Sequence, residues 1–336
     1  MNRYTFRFVS LSLLLLIGCV AAPTPTPTPI PIVVPTLTAI PSPTPVPVFN
    51  IVGYTTLGGM AAISQIHFDK LTHINFAFVV PEVDGTFVDV GGAHGLAALV
   101  NAAHAQNVKV LISVGGGGTD DRMEQMGADP AARATLVEGL LGYIEKYQLD
   151  GVDMDWEFPD PGVSSENYTS LMQALSTPLH ERGKLLTAAV AALGSNADPI
   201  SSEVLDEVDF LNLMVYDDDG PQHASYQYAL DSLDYWAGRG LPASKTILGV
   251  PFYAHPSYIP YRRLVQADPA AVQNDVLDYN GLSVNYNGIP TIQRKTELAQ
   301  QRASGIMIWT LESDALDETS LLSAIYATAY GEAGSP

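Results

Sequence analysis

Three acids, Asp153, Asp155 and Glu157, stand at every second position of Leu149-Asp150-Gly151-Val152-Asp153-Met154-Asp155-Trp156-Glu157-Phe158. In an extended strand successive side chains point to opposite faces, so the three carboxyls share one face while Val152, Met154, Trp156 and Phe158 share the other. Carboxylates crowded in a buried setting cannot all ionise together. At least one keeps a proton near neutral pH, which is what a general acid must do, and Glu157 at the end of the row is the natural donor. A calcium loop would need glycine at its sixth position and would lack bulky apolar residues between the acids. A solvated acidic strand edge is a poor fit because acids are weak strand formers.

Such a row needs a rigid frame. Short apolar, β-branched runs recur at 50–54, 72–78, 108–114, 151–158, 185–190, 210–215, 246–252 and 305–309. Helical periodicity lies between them. Leu136, Leu140, Ile144 and Tyr147 fall on one helical face, as do Tyr168, Leu171, Met172, Leu175 and Leu179 behind a Ser164-Ser165 start signal. Eight strand-helix units predict an α/β fold, a closed (β/α)8 TIM barrel. A doubly wound sheet would need a glycine-rich phosphate turn, and Gly115-Gly116-Gly117-Gly118 lacks that motif's spacing and acidic partner. Catalytic residues of a barrel sit at the carboxyl ends of its strands, where Glu157, Tyr216, Asp217 and Trp309 are expected to converge.

The string Asp150-Gly151-x-Asp153-x-Asp155-x-Glu157 resembles the active-site signature of glycoside hydrolase family 18, which includes chitinases and some endo-β-N-acetylglucosaminidases. The resemblance extends through Val52-Gly53-Tyr54, Leu71 to Phe78, Ser113-Val114-Gly115-Gly116, Met214-Val215-Tyr216-Asp217, Leu248 to Tyr253 and Gly305 to Trp309. It implies a retaining hydrolase of β-1,4-linked N-acetylglucosamine chains, chitin or chitooligosaccharides, acting by substrate-assisted catalysis. On that resemblance Glu157 protonates the leaving oxygen and the substrate's acetamido oxygen attacks to form an oxazolinium ion. Asp155 holds the acetamido N–H, and Asp153 shares a proton with Asp155. Tyr216 donates to the acetamido oxygen, Asp217 binds the sugar, Met214 packs beneath and Trp309 floors the subsite. Tyr54 and Phe76 are expected in the same pocket wall. Asp150 reads as a structural strand-start residue, and Asp218 and Asp219 as solvated loop charges. His73 reads as a satisfied barrel histidine, and His223 and His255 as lacking metal-like partners, so no metal or cofactor is expected.

The chain departs from the family pattern in places. Gly117 and Gly118 follow Gly116 where many chitinases carry a tryptophan, and Ala254-His255 replaces the usual Gly-Arg after Tyr253. The segment 255–304 is short for a full-size chitinase insertion domain. With three tryptophans in all, a long aromatic track for crystalline chitin is not expected. Rival readings are an endo-β-N-acetylglucosaminidase acting on N-glycans or peptidoglycan, and an inactive glycan-binding lectin.

Residues 1–18 read as a lipoprotein signal peptide, with Arg3 and Arg7 ahead of an apolar run and Leu16-Ile17-Gly18-Cys19 as the cleavage box. Cys19 is the only cysteine, so it cannot form an intrachain disulfide, and lipidation is the expected use. Residues 19–48 form a Pro/Thr-rich linker, uncharged from Ala22 to Val48, able to hold the catalytic barrel of 49–336 about 80 Å from a membrane. The expected location is the cell surface or extracellular space, lipid-anchored. The formal net charge of −20 falls on the folded part and argues against nucleic acid or an anionic polymer as partner; a neutral glycan and a monomer fit it.

Overall fold

The computed structural model describes residues 49–56, 63–91 and 95–331. The signal, Cys19 and the linker lie outside the described residues. Eight parallel strands close into a barrel: β1 (Asn50–Thr56), β2 (His73–Val79), β3 (Lys109–Gly115), β4 (Gly151–Asp155), β5 (Leu185–Ala191), β6 (Phe210–Met214), β7 (Thr246–Pro251) and, last in the chain, β12 (Gly305–Trp309). Each strand pairs in parallel with its sequence neighbour, and β1 closes the ring against β12. This is the (β/α)8 barrel that the alternation predicts.

Strand alternation sorts the apolar side chains into two layers. Ile74, Val110, Ile112, Val152 and Met154 point outward and are buried under the helices. Val52, Ala77, Ala189, Ile247 and Met307 point inward. The helices supply the outer cover: α1 (Leu96–His104), α2 (Asp120–Ala128), α3 (Pro130–Tyr147), α4 (Val163–His180), α5 (Ser202–Glu207), α6 (Tyr226–Gly238), α7 (Tyr261–Ala267), α8 (Ile289–Arg302) and α9 (Leu321–Tyr330). Helix α3 starts where Asp129 accepts the Ala131 N–H and Pro130 needs no partner for the amide it lacks. Its predicted face, Leu136, Leu140, Ile144 and Tyr147, is buried, as is the predicted face of α4. The start signal of α4 is corrected: Ser164 lies inside the first turn, where its hydroxyl accepts the Asp160 N–H and donates to Glu124.

Between β7 and β12 the chain forms β8 (Tyr253–Ala254) with β9 (Ile259–Pro260), and the hairpin β10 (Val276–Tyr279) with β11 (Leu282–Asn285). These two ladders stand where a full insertion domain would be, in line with the short segment. Among the described residues no helix is long and apolar enough to cross a membrane.

Candidate active site

The acid row begins inside the barrel. Asp153 is 0% exposed and Asp155 3%. The register sets Asp153 between Ser113 of β3 and Thr187 of β5, so hydroxyls flank the carboxylate on both sides. Its Oδ2 accepts from Tyr54 Oη at 2.6 Å and Ser113 Oγ at 2.8 Å. Its Oδ1 accepts from Thr187 Oγ1 at 2.6 Å and Asn212 Nδ2 at 3.1 Å. Burial raises this carboxyl, and the four donors offset part of the rise. Asp155 has no such donors. Its Oδ1 is buried without a hydrogen-bond partner, and burial, then the charges of Glu157 and Asp153, push its carboxyl well above the usual range. Asp153 and Asp155 therefore influence each other through space: among the described residues the hydrogen bonds on Asp153 come from the four neutral donors, and the shared proton expected between the two acids has no hydrogen bond to travel along.

The predicted fourth strand is too long. Strand β4 stops at Asp155 because its partner β3 ends opposite, at Gly115, after which the Gly116 N–H donates to the Asp155 carbonyl at 2.7 Å. Gly115 takes φ +112°, and a Cβ there would lie 2.2 Å from that same carbonyl oxygen, so only glycine fits the approach. Glu157 thus stands just beyond the strand, partly exposed at the barrel mouth. Burial, then the charge of Asp217, raises its carboxyl to about 7, against a smaller downward pull from the Gly117 N–H. A group of that pKa exchanges a proton near neutral pH.

A cavity of about 210 Å³ opens at the ends of β4, β5 and β6, lined among others by Glu157, Ala191, Met214, Tyr216 and Asp217. A larger one, about 410 Å³, is lined by Thr55, His67, Arg262 and Glu312 and holds none of the acid row. Tyr216 contacts Met307 Sδ at 3.8 Å, and burial, then Asp155 and Glu157, raises its phenol, which keeps it a neutral donor. Trp309 meets Tyr54 edge-on at 5.5 Å between centroids and stacks with Phe78 at 5.7 Å. Tyr54 lies beneath, its hydroxyl committed to Asp153. Asp150 accepts the Val110 N–H at 2.8 Å and meets His104 at 2.8 Å, the structural part expected of it. His73 meets Thr72 Oγ1 at 2.8 Å.

Two expectations are overturned. Phe76 is fully buried in the outer layer between β2 and the helices, remote from the pocket wall. A register shift between Phe76 and Val79 turns the next aromatic, Phe78, to the interior, and Phe78 takes the place expected of Phe76. His223 and His255 do have a metal-like partner: both reach Asp217 Oδ1, at 3.3 and 3.2 Å, where Tyr253 Oη also donates at 2.5 Å. Burial pushes Asp217 up, but the His223 and Tyr253 hydrogen bonds and the nearby His255 outweigh it and hold the carboxyl below its usual value.

The glycosyl hydrolases family 18 profile matches residues 50–314, the barrel from its first strand past its last. The chain belongs to glycoside hydrolase family 18. Its barrel is similar to the chitinase ChiB from the chitin utilization locus of Flavobacterium johnsoniae, with TM-score 0.75 and 30% identity, covering 84% of this chain and 94% of that one. It is similar also to a chitinase from Bacteroides thetaiotaomicron, with TM-score 0.76 and 26% identity, covering 86% and 99%. Chitotriosidase-1 of Mus musculus is 30% identical over 221 residues, 54% of this chain and 47% of that protein. The chain spans about half the length of the curated relatives it matches.

Sequence reasoning missed several residues of this family 18 site. Ser113, Thr187 and Asn212 each carry a polar group at an inward position of an otherwise apolar strand, a signal present in the sequence. Phe78 had none, because its facing depends on the register shift.

Proposed function

We propose that this family 18 barrel hydrolyses β-1,4-linked N-acetylglucosamine chains with retention, using the substrate's acetamido group as nucleophile. The observation that carries the reading is the contrast along the row: Asp153 saturated by four donors, Asp155 buried with an oxygen unpartnered, and Glu157 held near 7 at the cavity. Glu157 gives its proton to the glycosidic oxygen as the C1–O bond breaks, and the acetamido carbonyl oxygen bonds to C1. Asp155 accepts the acetamido N–H, and the positive charge developing on the oxazolinium draws its carboxyl toward the ionised form in a dry site. Water then attacks C1 from the face the leaving group vacated, the ring C1–O bond of the oxazolinium breaks, and Glu157 takes the water's proton. Family 18 is an exception to the two-carboxylate scheme of most glycosidases, so no protein nucleophile is required.

Tyr216 supports the acetamido oxygen, Trp309 and Phe78 offer apolar faces to the ring, and Met214 packs the wall of the cavity. Asp217 binds the sugar from the rim. The lipoprotein box at Cys19 and the Pro/Thr linker support a lipid-anchored position at a cell surface. Loss of lipid labelling in Cys19→Ala would support that placement, and equal labelling of the two would refute it.

The test is product analysis on chitohexaose beside a high-mannose glycopeptide, with wild type and Glu157→Gln. Release of β-anomeric di- or trisaccharide from chitohexaose by wild type alone is expected. Cleavage of the glycopeptide alone would move the activity to the endo-β-N-acetylglucosaminidase branch. Binding of either without cleavage would make it a lectin, and an unchanged rate in Glu157→Gln would remove Glu157 as the acid.

A further inference from the structure

The Asp217, His223 and His255 side chains come together from two separate segments. Asp217, at φ +60°, turns its carboxylate back toward His223, and the Asp218 N–H closes the turn on the His223 carbonyl at 3.0 Å. That turn is pinned from below. Lys295 Nζ and Asn287 Nδ2 donate to the Ala224 carbonyl at 2.8 and 3.0 Å, and Gln222 Nε2 to the Tyr286 carbonyl at 2.8 Å. His255 arrives from the far side, held by paired backbone bonds to Asn285, each 2.9 Å. Both histidines are thus preset on backbone that is tied down.

His223 Nδ1 lies 3.3 Å from Asp217 Oδ1 and accepts the Asp217 backbone N–H at 3.3 Å, a contact that a bound ion would replace. One nitrogen of each ring and one Asp217 oxygen lie within 4.8 Å of each other, with His223 Nδ1 and His255 Nε2 at 3.3 and 3.2 Å from Asp217 Oδ1. A tetrahedral ion with bonds of about 2.0–2.1 Å separates neighbouring ligand atoms by about 3.3–3.4 Å. His255 Nε2 is buried, lies 3.2 Å from the carboxylate and has no hydrogen-bond partner. His223 is 2% exposed and its remaining ring nitrogen is also unpartnered. Asp217 is 40% exposed, which leaves a coordination position open, and Tyr253 Oη donates to the same Oδ1 that the two histidines approach, which orients the carboxylate as an outer-shell partner does.

We propose that Asp217, His223 and His255 form a site for a divalent transition-metal ion of the zinc class, in the cleft wall, and that its occupation inhibits glycan cleavage. Two imidazoles and one carboxylate select zinc, nickel or copper over magnesium or calcium, which prefer all-oxygen sets. Inhibition rests on the reading that Asp217 contacts the sugar, because the ion takes the same carboxylate. Metal binding itself does not rest on it.

The test is calorimetric titration of the chelator-stripped full chain with zinc chloride, and separately with magnesium chloride, for wild type, His255→Ala and His255→Gln. One zinc per chain is expected, no magnesium, and affinity lower by at least about tenfold in both variants. Cobalt chloride added to wild type should give the visible absorption bands of tetrahedral cobalt, absent in the variants. Two variants and a thermal unfolding curve for each separate loss of the ligand from loss of the fold. Equal zinc affinity in wild type and a folded His255 variant, or no zinc binding at all, overturns the site. Zinc bound at this site without slowing chitohexaose cleavage keeps the site but refutes the inhibition. A wild type that binds zinc yet cleaves no glycan refutes the hydrolase and leaves the metal site standing.

Discussion

Glu157→Gln should stabilise the protein at alkaline pH and not at acid pH. The Glu157 carboxyl rises from 4.5 to about 7 on folding, with burial the larger cause and the Asp217 charge the next. Below 4.5 the folded and unfolded chains both hold the proton, so the site costs nothing extra. Between 4.5 and about 7 the unfolded chain loses its proton first, and stability falls; above 7 the loss is complete. A displacement of that size corresponds to about 3 kcal/mol, reduced to about 2–3 because Glu157 keeps some contact with water. Glutamine carries no charge at any pH and removes the penalty. It also removes the Glu157 charge that helps raise Asp155, which acts in the same direction. Urea unfolding of wild type and Glu157→Gln at pH 4 and pH 8 measures the effect. The variant's advantage should grow by about 2–3 kcal/mol between the two pH values. Stability curves that run parallel in pH would refute a raised Glu157 and, with it, the reason for assigning the proton donor to this residue.

The same proton sets the rate: kcat/KM on chitohexaose should fall about tenfold per pH unit above about 7, and Asp217→Asn should move that limb toward acid, as a pH-rate series would show. Asp155→Asn should lower kcat by about 10²–10³ with the fold intact, read by steady-state kinetics beside circular dichroism. Phe78→Ala should raise KM up to about tenfold with little loss of stability, whereas Phe76→Ala should cost about 3–5 kcal/mol in urea and leave KM unchanged in the fraction that stays folded. Tyr54→Phe, which removes one of four donors from Asp153, should cost about 1–2 kcal/mol in the same unfolding assay.

The acid row and the barrel were legible because each is written in a local period. Alternation at every second position names the face of Asp153 and Asp155, and strand-helix alternation names the architecture. What the period does not contain is where it stops. Strand β4 ends at Asp155 because β3 has turned away at Gly115, so the position of Glu157 is decided by a neighbouring strand. Phe76 and Phe78 share a parity, and only the shift between Phe76 and Val79 puts them on different sides of the sheet. The Asp217, His223 and His255 group lies further still from local patterning: its spacing matches no short metal motif, and it exists because His255, between β8 and β9, reaches Asp217 in the loop after β6. The departure at Ala254-His255 was visible as a missing arginine. Its consequence was not, because a histidine acquires meaning only from the carboxylate it faces. The positions that escaped the sequence are therefore those fixed by a second segment of chain, and at the rim of this barrel two of them, His223 and His255, meet Asp217, the carboxylate proposed to bind the sugar.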